Sequence, residues 1–349
     1  MSSSAAHYAL LGLATTMCSS AGTVFALLYS PPFLKAGCRL TFQTLFQLVP
    51  WLWSPPAPPG GWQKHYPHVI FSGICLGSHF SSWVYSLEHT SLTHSLLFVS
   101  MHPIILNAYY HLASRWGGGR KPTFLETVGS LVGVAGAALM MLDIKEEGSE
   151  GGEGEGEGGH EPTFWGDFVA FLGAVFMAAY LLVGEKLRTK ESWSLWTYVQ
   201  PVTAISTLSC WLYSWLLDEE ELRFFCLEHN CVLGCFSPKD HALYYSIYLG
   251  LFAGIGGHAS LNYLLKYIPT ATVGTALLME PVIGSLIGYA VGVQGIPGIW
   301  TWGGGVVLMV GLVLVVKGGE EGHEYEWAER AGEDVRLKNK ADNRRESGL

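Results

Sequence analysis

The stretch SSWVYSLEHTSLTHSLLFVSMHPII, Ser81–Ile105, aligns without a gap on ASLNYLLKYIPTATVGTALLMEPVI, Ala259–Ile283. Tyr85 falls on Tyr263, Leu87 on Leu265, Met101 on Met279 and Pro103 on Pro281. Upstream, Gly73 and Gly77 answer Gly250 and Gly254; downstream, Gly129 and Gly136 answer Gly304 and Gly311. The identities are few, so chance is the alternative explanation, and agreement across three consecutive apolar segments weighs against it.

Those segments belong to a longer series. A helix rises about 1.5 Å per residue, so about 20 apolar residues cross a hydrocarbon core of roughly 30 Å. Ten such runs follow one another: Tyr8–Tyr29, Phe33–Trp53, His68–Leu87, Leu92–Ala113, Phe124–Leu142, Trp165–Gly184, Leu195–Leu217, Leu243–Leu265, Ala271–Val293 and Ile296–Val316. Pro31-Pro32, the proline-rich Ser54–Gly61 segment, the Arg115–Lys121 stretch and Ile268-Pro269 mark the breaks between them. Charged residues make up 14% of the chain and 49% is hydrophobic, against about 25% charged in an ordinary soluble domain. That composition excludes a typical soluble fold and a disordered chain, which needs low hydrophobicity. Trp51, Trp53, Trp116, Trp165, Trp193 and Trp196 fall near run ends, where indole rings favour a membrane interface.

The expected fold is therefore an all-α polytopic membrane protein, ten transmembrane helices arranged as two five-helix repeats. An odd number of spans per repeat makes the second repeat enter the membrane from the opposite face, so the repeats are inverted. Inverted repeats let a central site open to either side by rocking one bundle against another. Residues 7–142 form the first repeat, 143–163 an acidic Gly/Glu-rich linker, 164–316 the second repeat and 317–349 a charged tail. On the side of the termini lie Lys64, Arg115, Arg120, Lys121, Lys186, Arg188, Lys190 and Lys266, with seven further basic residues in the tail. The other side holds Lys35, Arg39, Lys145, Arg223 and Lys239. The positive-inside rule then puts both termini in the cytosol. The self-repelling linker reads as a tether, with calcium collection as a lesser alternative.

Three segments carry a family resemblance. GDFVAFLGAVFMAAYLLVGEKLR, Gly166–Arg188, resembles the opening helix of an EamA repeat of the drug/metabolite transporter superfamily. HFSSWVYSLEHTSLTHSLLFVSMHPII and NYLLKYIPTATVGTALLMEPVIGSLIGYAVG are similar to that family's third–fourth and eighth–ninth helix pairs, and Arg39 stands where the family often has an arginine. The resemblance spans roughly residues 8–316 and implies two EamA-like repeats and a transporter of small solutes. The chain has Cys18–Gly22 where the family often shows Trp-Gly, and Gly117–Gly119 and Gln294-Gly295 where it often shows Gly-Glu. It also lacks a late Lys/Arg pair of the kind that clamps phosphate in plastid sugar-phosphate translocators, which disfavours a sugar-phosphate substrate.

Ionisable groups inside a bilayer cost about 2.5–3.5 kcal/mol on insertion scales and tend to face a cavity or a partner. His102 and Glu280 occupy equivalent mid-span positions, each just before a helix-breaking proline, Pro103 or Pro281. A proline frees a backbone carbonyl, and in a membrane such breaks are tolerated where they line a cavity. His102 and Glu280 are thus expected to face one another at a substrate site, with proton exchange through them as an open reading. Interhelical hydrogen bonding is the plainer role. His79, His258, Asn262, Trp83 and Tyr263 are further substrate-binding candidates, with helix packing as the alternative for the aromatics. Arg39 could bind an anionic group or snorkel to the interface. Gly284, Gly288 and Gly292 form a small-residue packing stripe. Cys226, Cys231 and Cys235 share one loop with His229, leaving a disulfide, free thiols and a loose metal site all open.

The sequence accordingly predicts a secondary transporter of small organic metabolites working by alternating access, not an enzyme, with no cofactor. Its partners are a small-molecule substrate and the lipid bilayer, with a homodimer left open, and no nucleic acid. Alternatives are a divalent-cation carrier or channel-like member of the same superfamily, and a membrane-embedded enzyme. No phosphate-binding loop points to ATP-driven pumping.

Overall fold

The computed structural model describes residues 3–54, 58, 60–90, 92–116, 121–140, 142, 163–218, 226–292, 299–300, 302–315, 317–319 and 321–322. The acidic tract, Arg120, Lys145, Arg223, Gly117–Gly119, Gln294-Gly295 and the tail beyond residue 322 lie outside them. The described residues are mostly helical, with no β-strand among them. The helices are α1 (Ser3–Leu27), α2 (Pro32–Leu52), α3 (Trp62–Leu87), α4 (Leu92–Val99), α5 (His102–Arg115), α6 (Phe124–Met140), α7 (Phe164–Glu185) and α8 (Leu195–Leu217). There follow α9 (Ala242–Tyr248), α10 (Ser260–Leu264), α11 (Thr270–Ala276), α12 (Glu280–Val291) and α13 (Trp302–Gly319).

Local chemistry sets the ends. Pro32 opens α2, where a missing N–H is harmless because the first helical amides have no intrahelical acceptor. Thr163 and Ser194 cap α7 and α8 by accepting from the Gly166 and Thr197 amides. Gly292, at φ +81°, stops α12 in the left-handed conformation that glycine adopts freely.

Two rods are interrupted in the same way. Pro103 has no N–H for the Val99 carbonyl, and α4 gives way to α5 through a turn at Ser100-Met101. Pro281 likewise cannot serve Leu277, and a 3-10 turn, Leu277–Met279, separates α11 from α12. Between α9 and α10 the chain forms a long π-helical stretch, Leu249–Ala259. Such wide turns are rare and cluster at functional sites.

Glycines set how closely the rods approach. A Cβ on Gly73 would fall 2.6 Å from the Ile205 side chain of α8, and one on Gly77 2.9 Å from the Ser206 carbonyl. A Cβ on Gly250 of the π stretch would meet Phe42 of α2 at 2.5 Å. A Cβ on Gly129 would fall 2.7 Å from the Gly311 carbonyl and one on Gly136 2.7 Å from the Gly304 carbonyl, so α6 and α13 run antiparallel in close contact.

Among the described residues four helices are long and apolar enough to cross a membrane: Ser4–Leu27, Phe164–Arg188, Thr272–Val291 and Trp302–Gly319. Large apolar side chains also cover the outside, among them Val49, Phe71, Leu131, Leu208, Val306 and Val313. Soluble proteins rarely expose so much, and the protein is read as membrane-embedded. Trp53, Trp116 and Trp165 are exposed, in keeping with an interfacial role. Trp193 is not: it is fully buried, edge-on to Trp62 and His65, because the chain folds it beneath α3.

Candidate functional site

Arg39 is held on α2 beneath α3, buried to 1% exposure. Its guanidinium lies 4.1 Å from the Phe80 ring centroid and 5.8 Å from that of Phe25, a cation–π arrangement with two faces. Among the described residues, none of Nε, Nη1 and Nη2 has a hydrogen-bond partner. Among the described residues no carboxylate comes within ion-pair distance of Arg39, although the Glu280 charge reaches it electrostatically. Burial, the missing partners and the ring contacts fit poorly with an arginine snorkelling to an interface.

Around Phe80 the site builds outward. His79 and His258 each set an imidazole 5.0 Å from that ring. His79 also stacks on Trp83 at 6.5 Å, and Phe25 meets Trp83 edge-on at 5.6 Å. His79 Nδ1 is anchored on the Gly173 carbonyl of α7 at 3.0 Å. His258 comes from the π stretch, which is drawn against α1 because Gly257 lies under the Cys18 sulfur. His258 Nδ1 and Trp83 Nε1 have no hydrogen-bond partner among the described residues. Glu280 begins α12 and keeps part of its surface accessible.

The structure thus brings Arg39, His79, Trp83, His258 and Glu280 into one neighbourhood. The expected facing of His102 and Glu280 takes another form. His102 Nε2 lies 2.9 Å from the Gly274 carbonyl of α11, and Nδ1 lies 3.3 Å from the Val99 carbonyl that Pro103 leaves free. A neutral imidazole has one N–H, so the shorter contact, to Gly274, is the hydrogen bond. It ties one interrupted rod to the other. The charged neighbour of Glu280 is Arg39, while His102 shares the field of His79.

Asn262 borders this group through the His258 backbone, and Tyr263 packs away from it. Asn262 Nδ2 donates to the Tyr180 hydroxyl and, at 2.9 Å, to the His258 carbonyl. Tyr263 packs with His7 and Tyr267. Pro103 and Pro281 sit at the rod breaks as expected, and the Pro281 side chain lies outside the described residues. Phe25, Phe80 and Cys18 were not singled out from the sequence. Aromatic and small apolar residues are too common in such runs to mark a site.

Each end of the bundle is fastened. At one end Lys35 pairs with Glu88 at 2.7 Å, the Phe33 amide donates to Asp218 at 3.3 Å, and Thr90 donates to Asp167 at 2.7 Å. At the other, Lys64 reaches Glu191 at 3.5 Å and Tyr110 donates to Glu185 at 2.5 Å. In the loop after α8, Cys226 and Cys231 form a disulfide, Cys235 is buried and stands outside it, and His229 packs on Tyr29. The pairing removes both sulfurs from the group Cys226, Glu228 and Cys231 that would otherwise suit a metal ion.

No family model and no curated protein matches the sequence. A solved protein crystal structure, 15% identical, is similar to this chain with a TM-score of 0.62, over 89% of this chain and 97% of its own, a likeness of fold along nearly the full length of both.

Proposed function

We propose that the chain is a secondary transporter of small organic metabolites, built from two inverted five-span repeats around the Arg39–Glu280 neighbourhood and working by alternating access. The observation that carries this reading is the matching of the two rod breaks. The offset that aligns Pro103 with Pro281 also aligns the start of α5 at His102 with the start of α12 at Glu280. Glycine contacts support it. Gly73 and Gly77 close on α8 while their counterparts Gly250 and Gly254 close on α2. Gly129 meets Gly311 and Gly136 meets Gly304, the reciprocal antiparallel pairing that a two-fold axis in the membrane plane requires. The breaks put backbone irregularity and ionisable groups inside the bundle, where transporters keep their sites.

The cation-carrier alternative needs several carboxylates around Glu280. Arg39 is the charged group nearby instead, and its positive charge opposes a cation there. Substrate-driven uptake into proteoliposomes, with and without a pH gradient, tests the proposal. Glu280→Gln is expected to slow uptake about tenfold or more and to flatten its pH dependence. Unchanged uptake with unchanged pH dependence would remove Glu280 from the mechanism.

A further inference from the structure

We infer that the solute is an organic monocarboxylate, its carboxylate received by Arg39 and its apolar body packed among Phe25, Phe80 and Trp83. The inference rests on the transporter reading and names the substrate class of that site. Three side chains, each more than nine-tenths buried, turn unsatisfied polar nitrogens into one region: Arg39 through Nε, Nη1 and Nη2, Trp83 through Nε1, and His258 through Nδ1. Arginine and indole only donate. A region rich in idle donors calls for an acceptor, and a planar carboxylate matches the guanidinium fork with two parallel bonds.

Phe80 leaves that fork usable. The guanidinium carbon lies over the ring, 4.1 Å from its centroid, and a phenyl ring brings no oxygen or nitrogen acceptor to the N–H groups, which stay unpartnered among the described residues. Phe25 and Trp83, edge-on to one another at 5.6 Å, supply apolar wall beside it. A single guanidinium, with no lysine or arginine among the described groups that act on it, suits one negative charge better than a phosphate dianion. Glu280 is the charge that competes for Arg39.

The test is equilibrium binding to the purified full chain in lipid nanodiscs, read by tryptophan fluorescence and by thermal stabilisation. The probes are acetate, butyrate, 3-phenylpropionate and succinate, the isosteric 3-phenylpropionamide and phenethylamine, and inorganic phosphate. At least one monocarboxylate is expected to bind saturably and about tenfold more tightly than its amide or amine counterpart. Arg39→Gln removes that preference, and Arg39→Lys restores part of it. Glu280→Gln leaves carboxylate binding as tight or tighter. The inference is overturned if no monocarboxylate binds, if amide, amine or phosphate binds as well, if Arg39→Gln keeps the preference, or if Glu280→Gln abolishes it. Where Arg39→Gln fails to fold, Trp83→Phe decides: it keeps the ring and loses one donor. Selective weakening of the carboxylate upholds the inference, and an equal change for carboxylate and amide, or none, overturns it. Binding is read without flux, so a protein that binds carboxylates and moves none contradicts the transporter reading alone. A carrier of amines or neutral solutes with no carboxylate preference contradicts this inference alone.

Discussion

Asn262 joins two helices through one amide group, donating to Tyr180 on α7 while it fastens the end of the π stretch through the His258 carbonyl. Asn262→Ala leaves both acceptors unserved in a buried setting and is expected to destabilise the protein by about 1–2 kcal/mol. Thermal unfolding in detergent checks this, and an unchanged midpoint would contradict it. Asp218, at the end of α8, responds to pH. Burial raises its carboxyl above the usual aspartate range and Glu88 adds to the effect, against the lowering hydrogen bonds from Ser214 and from the Phe33 and Leu34 amides. A raised value in the folded state means that stability is fully present below the ordinary aspartate value of about 3.9 and is lost as pH rises through the folded-state value. Asp218→Asn keeps an acceptor and carries no charge. Its melting temperature relative to the parent should rise from pH 4 to pH 7, and a constant or shrinking difference would refute the assignment. At this scale the sequence singles out Arg39, His79, His258 and Glu280 because ionisable residues stand out in apolar runs. It could not mark Phe80 or Phe25, since which ring lies under a guanidinium depends on how α1, α2 and α3 pack. Asn262 and Tyr263 show the converse: one residue along a helix turns a side chain by about 100°, and Tyr263 leaves the interior for a surface stack with Tyr267 and His7.

The rod breaks were legible in part: Pro103 and Pro281 each deny a carbonyl one turn earlier its N–H, yet Pro50, Pro67 and Pro201 sit inside unbroken helices, so proline marks a candidate break and the packing decides it. The π stretch was not, because the glycine-rich run Gly250–Gly257 carries no local signal for a widened turn and takes its shape from contact with Met17, Cys18 and Gln43. The close pairing of α6 and α13 was half legible: the glycines repeat in the sequence, and only the fold shows that they meet. Gly136→Val brings a side chain onto the Leu308 backbone, where a Cβ already falls 2.5 Å from the amide nitrogen. Overpacking of this kind costs about 1–3 kcal/mol. The variant should unfold earlier than the parent, while Gly12→Val on α1, where a Cβ meets nothing within 4 Å, should not. Equal stability of Gly136→Val and the parent would contradict the packing. In the loop after α8 the sequence left three fates for the cysteines, and the structure joins Cys226 to Cys231 and buries Cys235. Maleimide labelling of unfolded protein should rise by two thiols per chain on reduction and should show no such rise in a Cys226→Ser/Cys231→Ser variant.

Across the whole molecule, the apolar exterior and the four long apolar helices follow directly from composition. The arrangement of helices does not, because apolar runs are nearly interchangeable and only glycine spacing and proline position distinguish their neighbours. The proposed orientation, with both termini cytosolic, rests on the excess of Lys and Arg on that side. An epitope within residues 151–159 should be accessible on the non-cytosolic face of sealed vesicles, and labelling only from the cytosolic face would reverse it. On the proposed transporter reading, the fastened ends, through Lys35–Glu88 and Asp218 at one end and Lys64–Glu191 and Tyr110–Glu185 at the other, are the contacts that alternating access would break in turn. The most direct test is counterflow of a labelled monocarboxylate in proteoliposomes. A carrier accumulates the label transiently when the lumen is loaded with the same unlabelled solute, and loses that accumulation in Arg39→Gln. Label entry that is indifferent to luminal solute, or equal in empty liposomes, would contradict the account.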